Sequence, residues 1–484
     1  MPRLRLRHVV LGLLVGVLAV GVWLGVRGWL AQDHLTQAQA GVADLQDQAL
    51  AGDIDSAAQT LSQVQDDTGS ARSLTSDPVW RVAHLLPYVG DDLRAVTSLG
   101  TEVDRLATGV LEPVVESAQV LDPAALQPRD GAIDLAPLAE AAPLLESAAA
   151  SLETSRAAVA DIETAGLLGP VRDAHAQLLG QLEDAQSVLR PQAQAQAMAL
   201  ALAPGMLGAD GPRTYMVLFQ NNAEVRATGG IPGAFAIVDA DAGRLTMTEQ
   251  RTASELRPFT EPVLKLPAGV ETLFGQKPAI YLADVNMTAN WTLSAELAQE
   301  MYRQLTGVTV DGVASVDPVA LSYLLGATGP VVLPTGDRLD DQEVVPFLLS
   351  EAYRLIEDDV DGQDEASAAV ADAAFETVLS GQGDPRLTLE TLNQGVDEGR
   401  LLLWSADPAE QQILASTALA GPLRPAGTGG DPAAAEEGDP VLGVFLNAAM
   451  AGKMDYYLQQ EVTLSAPLCE QGGSVSGHRM YLTV

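Results

Sequence analysis

The chain is poor in cysteine, lysine, histidine and aromatic rings. Cys469 is its only cysteine among 484 residues. No internal disulfide can therefore form, and neither a thiol pair nor a cysteine-built zinc cluster is available. Cys469 itself reads as a half-buried strand residue. The five histidines are scattered with no pair at i,i+4 spacing, and neither a Gly-x-Ser-x-Gly elbow nor a phosphate-binding P-loop occurs. Zinc, hydrolase and nucleotide chemistries thus lack their usual residues. Lysine is confined to Lys265, Lys277 and Lys453, so arginine supplies nearly all the positive charge. Against 27 basic residues stand 64 acids, a net charge of -37. That field repels nucleic-acid phosphates, and no basic stripe relieves it, which excludes DNA and RNA as partners. Aromatics make up 4% of the chain and apolar residues 47%, mostly Ala, Leu and Val. Wholesale disorder is excluded and long Ala-Leu helices are favoured.

What is present begins with an uncharged run, residues 9–26, VVLGLLVGVLAVGVWLGV. At 1.5 Å per residue such a helix is about 27 Å long, close to the hydrocarbon thickness of a bilayer. Trp23 and Trp29 fall where an interfacial aromatic belt lies. Arg3, Arg5 and Arg7 precede the run and acids soon follow it, so the positive-inside rule puts the N-terminus in the cytoplasm. Residues 1–30 are expected to be a cytoplasmic tail and single-pass plasma-membrane anchor, with everything after Leu30 extracytoplasmic. A cleaved signal peptide, with Ala38-Gln39-Ala40 as its site, is the competing reading and exports the same residues.

At this length two or three domains are expected, of an α+β multidomain class. Residues 31–203 carry apolar side chains at helical spacing, in seams such as Ile54, Ala57, Leu61, Val64 and Leu99, Val103, Leu106, Val110. They predict a helical bundle or stalk, broken at prolines and open to self-association. Asp77 before Pro78 reads as a helix start, Gly90-Asp91-Asp92 as a stop and new cap, and Trp80 and Tyr88 as packing between helices. After Pro204 the pattern turns strand-like at 213–220 and 233–240, with a turn before Arg244. A helix is expected at 293–305, a strand at 308–316, a short helix from Pro318 and a strand at 331–333. Residues 204–420 are therefore expected to form a three-layer α/β domain. Residues 421–440 read as a linker or long loop. Residues 441–484 read as the start of a β-rich region, incomplete because the chain stops on YLTV inside an expected strand.

The most informative stretch is LFQNNAEVRATGGIPGAFAIV, residues 218–238. It predicts a strand, a polar loop and a returning strand. The loop resembles the QNN-E-RATGG hallmark of DUF 4012, a domain-of-unknown-function family of membrane-anchored bacterial envelope proteins. WRVAHLLPYVGDDLRAV, ADVNMTANW and GKMDYYL are similar to further segments of that family. Its central domain in turn resembles, more distantly, the LytR-CpsA-Psr phosphotransferases, which move polyprenyl-linked glycans onto the cell wall. Here that likeness rests on residues 302–333. The resemblance implies a ligand site at Asn221, Asn222, Glu224, Arg226, Gly229 and Gly230, with Asp284, Asn286 and Arg354. Arg226 and Arg354 would supply guanidinium forks for a pyrophosphate. The structural alternative makes Asn221 and Asn222 turn formers, Glu224 and Arg226 a local ion pair, the glycines positive-φ residues, and Asp284 and Asn286 caps of the following helix.

The sequence departs from the transferase pattern after Arg354, where IEDDVDGQDEASAAV is acidic and has no second arginine. An EF-hand reading of that run fails because Ala368 stands at the final ligand position. No metal site is expected and no cofactor is evident; only the phosphotransferase reading would bring Mg2+. Three functions remain: an envelope protein binding a lipid-linked glycan or cell-wall polymer, a glycan phosphotransferase, or a scaffold acting through its helices.

Overall fold

In a computed structural model, the backbone is described for residues 2–256, 258–355, 360–423, 443–449, 452–459, 461–465 and 479–483. Within these, the side chains of 2–17, 50, 184–201, 355, 360–365, 462–465 and 479–483 are not described. Cys469, most of the expected linker 421–440 and the start of the acidic run after Arg354 lie outside the described residues. The chain divides into two compact units, Met1–Leu126 with Leu135–Pro204, and Gln127–Asp134 with Gly205–Val484.

The first unit is helical: α1 (Pro2–Ala51), α2 (Ile54–Leu74), α3 (Pro78–Ala83), α4 (Gly90–Leu106), α5 (Glu112–Val120), α6 (Ala136–Ala160) and the greater part of α7 (Gly169–Met206). A π turn, Ala107–Leu111, joins α4 to α5. The seam of Ala57, Leu61 and Val64 packs on Ala38 and Leu45 of α1, so this chain's own helix fills it. Asp77 starts α3 as its spacing predicts, accepting the Val79 and Trp80 amides. Two expectations need correction. Tyr88 does not pack between helices but is 96% exposed, while Trp80 is buried and donates its indole N–H to the Leu93 carbonyl. Asp92 does not cap α4: it lies past the helix start, and its carboxylate accepts the Leu168 amide at 2.7 Å instead. Among the described residues no helix is long and apolar enough to cross a membrane. The first half of the run 9–26 falls on residues whose side chains are not described.

The second unit is built on a five-stranded sheet in the order β3-β2-β1-β4-β7, from β1 (Arg213–Arg226), β2 (Gly229–Asp241), β3 (Arg244–Thr252), β4 (Gly312–Val316) and β7 (Leu402–Ser405). Between these strands come α8 (Ala268–Phe274), α9 (Trp291–Thr306), α10 (Pro318–Thr328) and the β5–β6 ribbon (Val331–Val332, Arg338–Leu339). Then follow α11 (Val344–Pro346), a π turn, α12 (Ala352–Leu355), α13 (Val360–Leu379) and α14 (Pro385–Asp397), with α15 (Pro408–Leu414) after β7. β1 pairs parallel with β4, and the other ladders of the sheet are antiparallel. The β2–β3 turn holds Ala242 at φ 48° and Gly243 at φ 83°, the double positive φ that matches strand twist in a two-residue hairpin.

Register shows how helices clothe the sheet. Successive strand residues face opposite sides. Glu249 accepts from the Tyr302 hydroxyl of α9 and its neighbour Gln250 donates to the Ala368 carbonyl of α13, so these helices lie on opposite faces. Under α9 the core gathers Met216, Leu218, Phe235, Ile237, Trp291 and Met301. A second core joins Leu325, Val331, Leu339, Val344 and Val370. A separate antiparallel pair is formed by β8 (Glu461–Ser465) and β9 (Arg479–Thr483).

Candidate functional site

The expected polar loop is instead the end of a hairpin. β1 continues through the polar residues to Arg226, which pairs with Gly229, leaving Ala227 and Thr228 as the turn. The ladder is interrupted between Asn221 and Val225, where the chain bulges, and the Asn221 side chain closes the bulge by accepting the Ala223 amide at 3.0 Å. Asn221 and Asn222 are thus bulge residues rather than the turn formers expected. The glycines are required for two different reasons. Gly229 adopts φ 130°, which L side chains rarely adopt. At Gly230 a Cβ would stand 2.2 Å from the Asn221 carbonyl carbon. Gly230 donates its amide to Gln220 Oε1 at 3.0 Å, and its carbonyl accepts from Asn286 Nδ2 at 2.8 Å.

Each charged side chain at this tip has a partner distant in sequence. Arg226 Nη2 meets Asp284 Oδ1 at 3.1 Å, and the arginine side chain is 8% exposed. Glu224 Oε2 meets Lys453 Nζ at 2.7 Å while Oε1 accepts the Gly452 amide at 2.9 Å. The expected Glu224–Arg226 pair therefore does not form, because both acid and base find closer partners from other segments. Asp317 caps α10 through the Ala320 amide and accepts from Asn222 Nδ2 and Arg400 Nη1, both at 2.9 Å. Burial opposes the Arg400 charge, yet Glu398 and Asp317 outweigh it and hold its pKa above the ordinary value.

Residues 443–449 and 452–459 form a strap across the tip. The Ala448 amide bonds the Val225 carbonyl at 2.9 Å, the Val225 amide bonds Asp455 Oδ2 at 2.9 Å, and the Ala227 amide bonds Asn447 Oδ1 at 3.2 Å. Beside the strap, Asn221 Nδ2 bonds the Tyr353 hydroxyl at 2.9 Å, and Lys453 Nζ stands 4.6 Å from the Tyr353 ring centroid. Ser350 and Tyr457 share a hydroxyl hydrogen bond of 2.9 Å, and Tyr456 meets Tyr457 edge-on. Tyr457 is 61% exposed.

The structure thus brings together Asn221, Asn222, Glu224, Arg226, Gly229, Gly230, Asp284 and Asn286. Arg354 is exposed on α12, and no hydrogen bond or ion pair joins it to them among the described residues. Asp284 and Asn286 do not cap α9. They lie several residues before its first turn, and Asn290 does so by accepting the Leu293 amide at 3.2 Å. Asp284 already engages Arg226, and among the described residues no group of three or more His, Cys, Asp or Glu is placed to hold a metal ion. Of Arg226, Asp284 and Arg354, the residues named for a phosphotransferase, Asp284 alone carries a carboxylate, and Arg226 engages it.

Gln220 Nε2, Asn222 Oδ1, Arg226 Nε, Thr228 Oγ1 and Asn286 Oδ1 are buried here without a partner among the described residues. Being buried, they present nothing to a ligand at the surface. Sequence reading missed Tyr353, Arg400, Asn447, Lys453, Asp455 and Tyr457 as members of the site. The rarity of lysine and the GKMDYYL segment were the available signals. No curated protein and no solved structure matches the chain. Residues 210–353, which run from before β1 to Tyr353, match the family model described as Protein of unknown function (DUF4012).

Proposed function

We propose that the protein is a single-pass, membrane-anchored envelope protein whose second unit binds a lipid-linked glycan or cell-wall polymer without turning it over. The observation that carries the binding reading is the cluster beside the hairpin tip in which Tyr457 is exposed and Tyr353, Tyr456, Lys453 and Ser350 are half-buried around it. Tyrosine faces and edges, with hydroxyl and amide groups at their rim, suit the apolar CH faces and hydroxyls of sugars. Three of the chain's nine tyrosines and one of its three lysines gather there. Against turnover stands the state of the charged residues. Arg226 is held by Asp284 at 3.1 Å, so its guanidinium is not free to grip a pyrophosphate, and Arg354, exposed on α12, has no bond to the tip among the described residues. The distant likeness to LytR-CpsA-Psr enzymes extends in this reading to the class of ligand and not to the reaction.

For the anchor, support comes from the uncharged run 9–26 lying within one helix, α1, after three arginines. Trp23 and Trp29 are exposed on that helix. The test is binding of polyprenyl-pyrophosphate-linked glycan, and of purified cell-wall polymer, to the full chain in detergent. Tyr457→Ala is expected to weaken binding about tenfold, the size of one aromatic contact. Unchanged affinity overturns the assignment of this surface. Release of polyprenyl phosphate that stops in Arg226→Ala overturns the non-catalytic reading.

A further inference from the structure

We propose that residues 78–89 form a lipid-facing foot, seated in the outer leaflet beside α1 and covered by acyl chains. The inference rests on the anchoring reading and adds a second place of membrane contact. Within these twelve residues, PVWRVAHLLPYV, no acid occurs and Arg81 is the only Lys or Arg, in a chain with 64 acids. Apart from Trp80, its large apolar side chains face outward: Leu85 is 83% exposed, Tyr88 96% and Val82 68%, with Val79, Leu86 and Val89 also exposed. A contiguous apolar patch of this kind is uncommon on a surface that meets only water.

Geometry ties the patch to the apolar part of α1. At the upper end, Arg27 forms an ion pair with Asp77 at 3.0 Å and donates its Nε–H to the Leu74 carbonyl at 3.0 Å. Trp80 packs over Gly28, where a Cβ would stand 3.7 Å from the indole. Below them a cavity of about 360 Å3 is lined by Val20, Pro78, Val79, Val82, Ala83 and Leu86, none with a polar side chain. Val20 precedes Arg27 by seven residues, about 10 Å along a helix, which lies within one leaflet's hydrocarbon depth. Arg81 turns back toward the polar end, donating to the Ser76 carbonyl at 2.8 Å.

The backbone also suits lipid. Amides of His84, Leu85, Leu86 and Gly90 bond the carbonyls of Arg81, Val82, Ala83 and Leu86, so four of the amides after α3 find partners within the segment. Unsatisfied backbone groups are what hydrocarbon tolerates least. Continuity with the apolar run of α1 favours lipid over a protein partner as the occupant.

The test uses the full chain, Cys469→Ser, reconstituted in phosphatidylcholine vesicles with a polarity-sensitive fluorophore on one introduced thiol. Leu85→Cys and Tyr88→Cys report the foot, Val22→Cys reports the anchor, and Ala149→Cys on an exposed face of α6 reports water. The foot probes are expected to shift to the blue and to lose most of their emission to doxyl-labelled lipid, as Val22 does, while Ala149 keeps its emission. Quenching at Val22 but not at Leu85 or Tyr88 overturns the foot and leaves the anchor standing. A blue shift without quenching assigns the patch to a protein surface or a second copy, which also overturns it. No quenching at Val22 removes the anchor, and the foot with it.

Discussion

Helices α4 and α9 are of similar length, sit in different units and bury opposite kinds of residue. α9 buries Trp291, Leu293, Leu297, Met301 and Tyr302, large side chains that meet the sheet. α4 buries Gly90, Asp92, Ala95, Gly100, Glu102 and Asp104, while Leu99, Val103 and Leu106 are only half-buried. Two of its acids form ion pairs: Asp104 meets Arg72 of α2 at 2.7 Å, and Glu102 meets Arg105 of the same helix at 3.0 Å. In the Ala- and Gly-rich unit, small residues let helix backbones approach, and the side that packs most closely is the side with least to get in the way. In the sheet unit, burial follows apolar area.

The sharpest test of this contrast is truncation. Trp291→Ala is expected to cost about 4 kcal/mol by leaving a large cavity. Leu99→Ala, half-buried, is expected to cost only about 1 kcal/mol because less apolar surface leaves a packed environment. Equal losses in denaturant unfolding of the two variants would erase the distinction. Overpacking probes the small-residue face. A Cβ at Gly100 already lies 3.4 Å from Thr75 Oγ1, so Gly100→Leu is expected to destabilise by about 2 kcal/mol. A neutral result in thermal melts would show that α4 has room to spare.

The smallest effect is a pH dependence. Burial raises the pKa of Glu296 on α9 above its ordinary 4.5. The folded state resists ionisation that the unfolded chain undergoes freely, so the penalty develops as pH rises from the ordinary value through the folded one. Glu296→Gln should therefore be more stable than wild type at neutral pH, with the advantage vanishing below the ordinary value. A constant difference across that range contradicts the burial account.

Legibility in the sequence followed the range of the interaction. Asp77-Pro78 and Asp317-Pro318 mark helix starts because a cap acts within three residues. The β2–β3 turn was legible from Gly243 and its neighbours for the same reason. Reading failed where partners are distant. Glu224 finds Lys453 across 229 positions and Arg226 finds Asp284 across 58, and no local pattern announces either. The polar residues after Gln220 suggested a loop because Asn and Gly favour turns, yet strap and sheet bonds hold them as strand and bulge. Tyr88 misled because an aromatic in a helical region usually packs inside, whereas here its neighbours are exposed as well.

The central claim is that Arg226 and Asp284 hold the fold and are not waiting for a ligand. Equilibrium unfolding of Arg226→Met, Asp284→Asn and the double variant tests it most directly. Each single change is expected to cost about 3 kcal/mol by leaving a buried charge without its partner, and the double change to cost no more than either alone. If Arg226→Met keeps wild-type stability while glycan binding is lost, the arginine serves the ligand and the account is wrong.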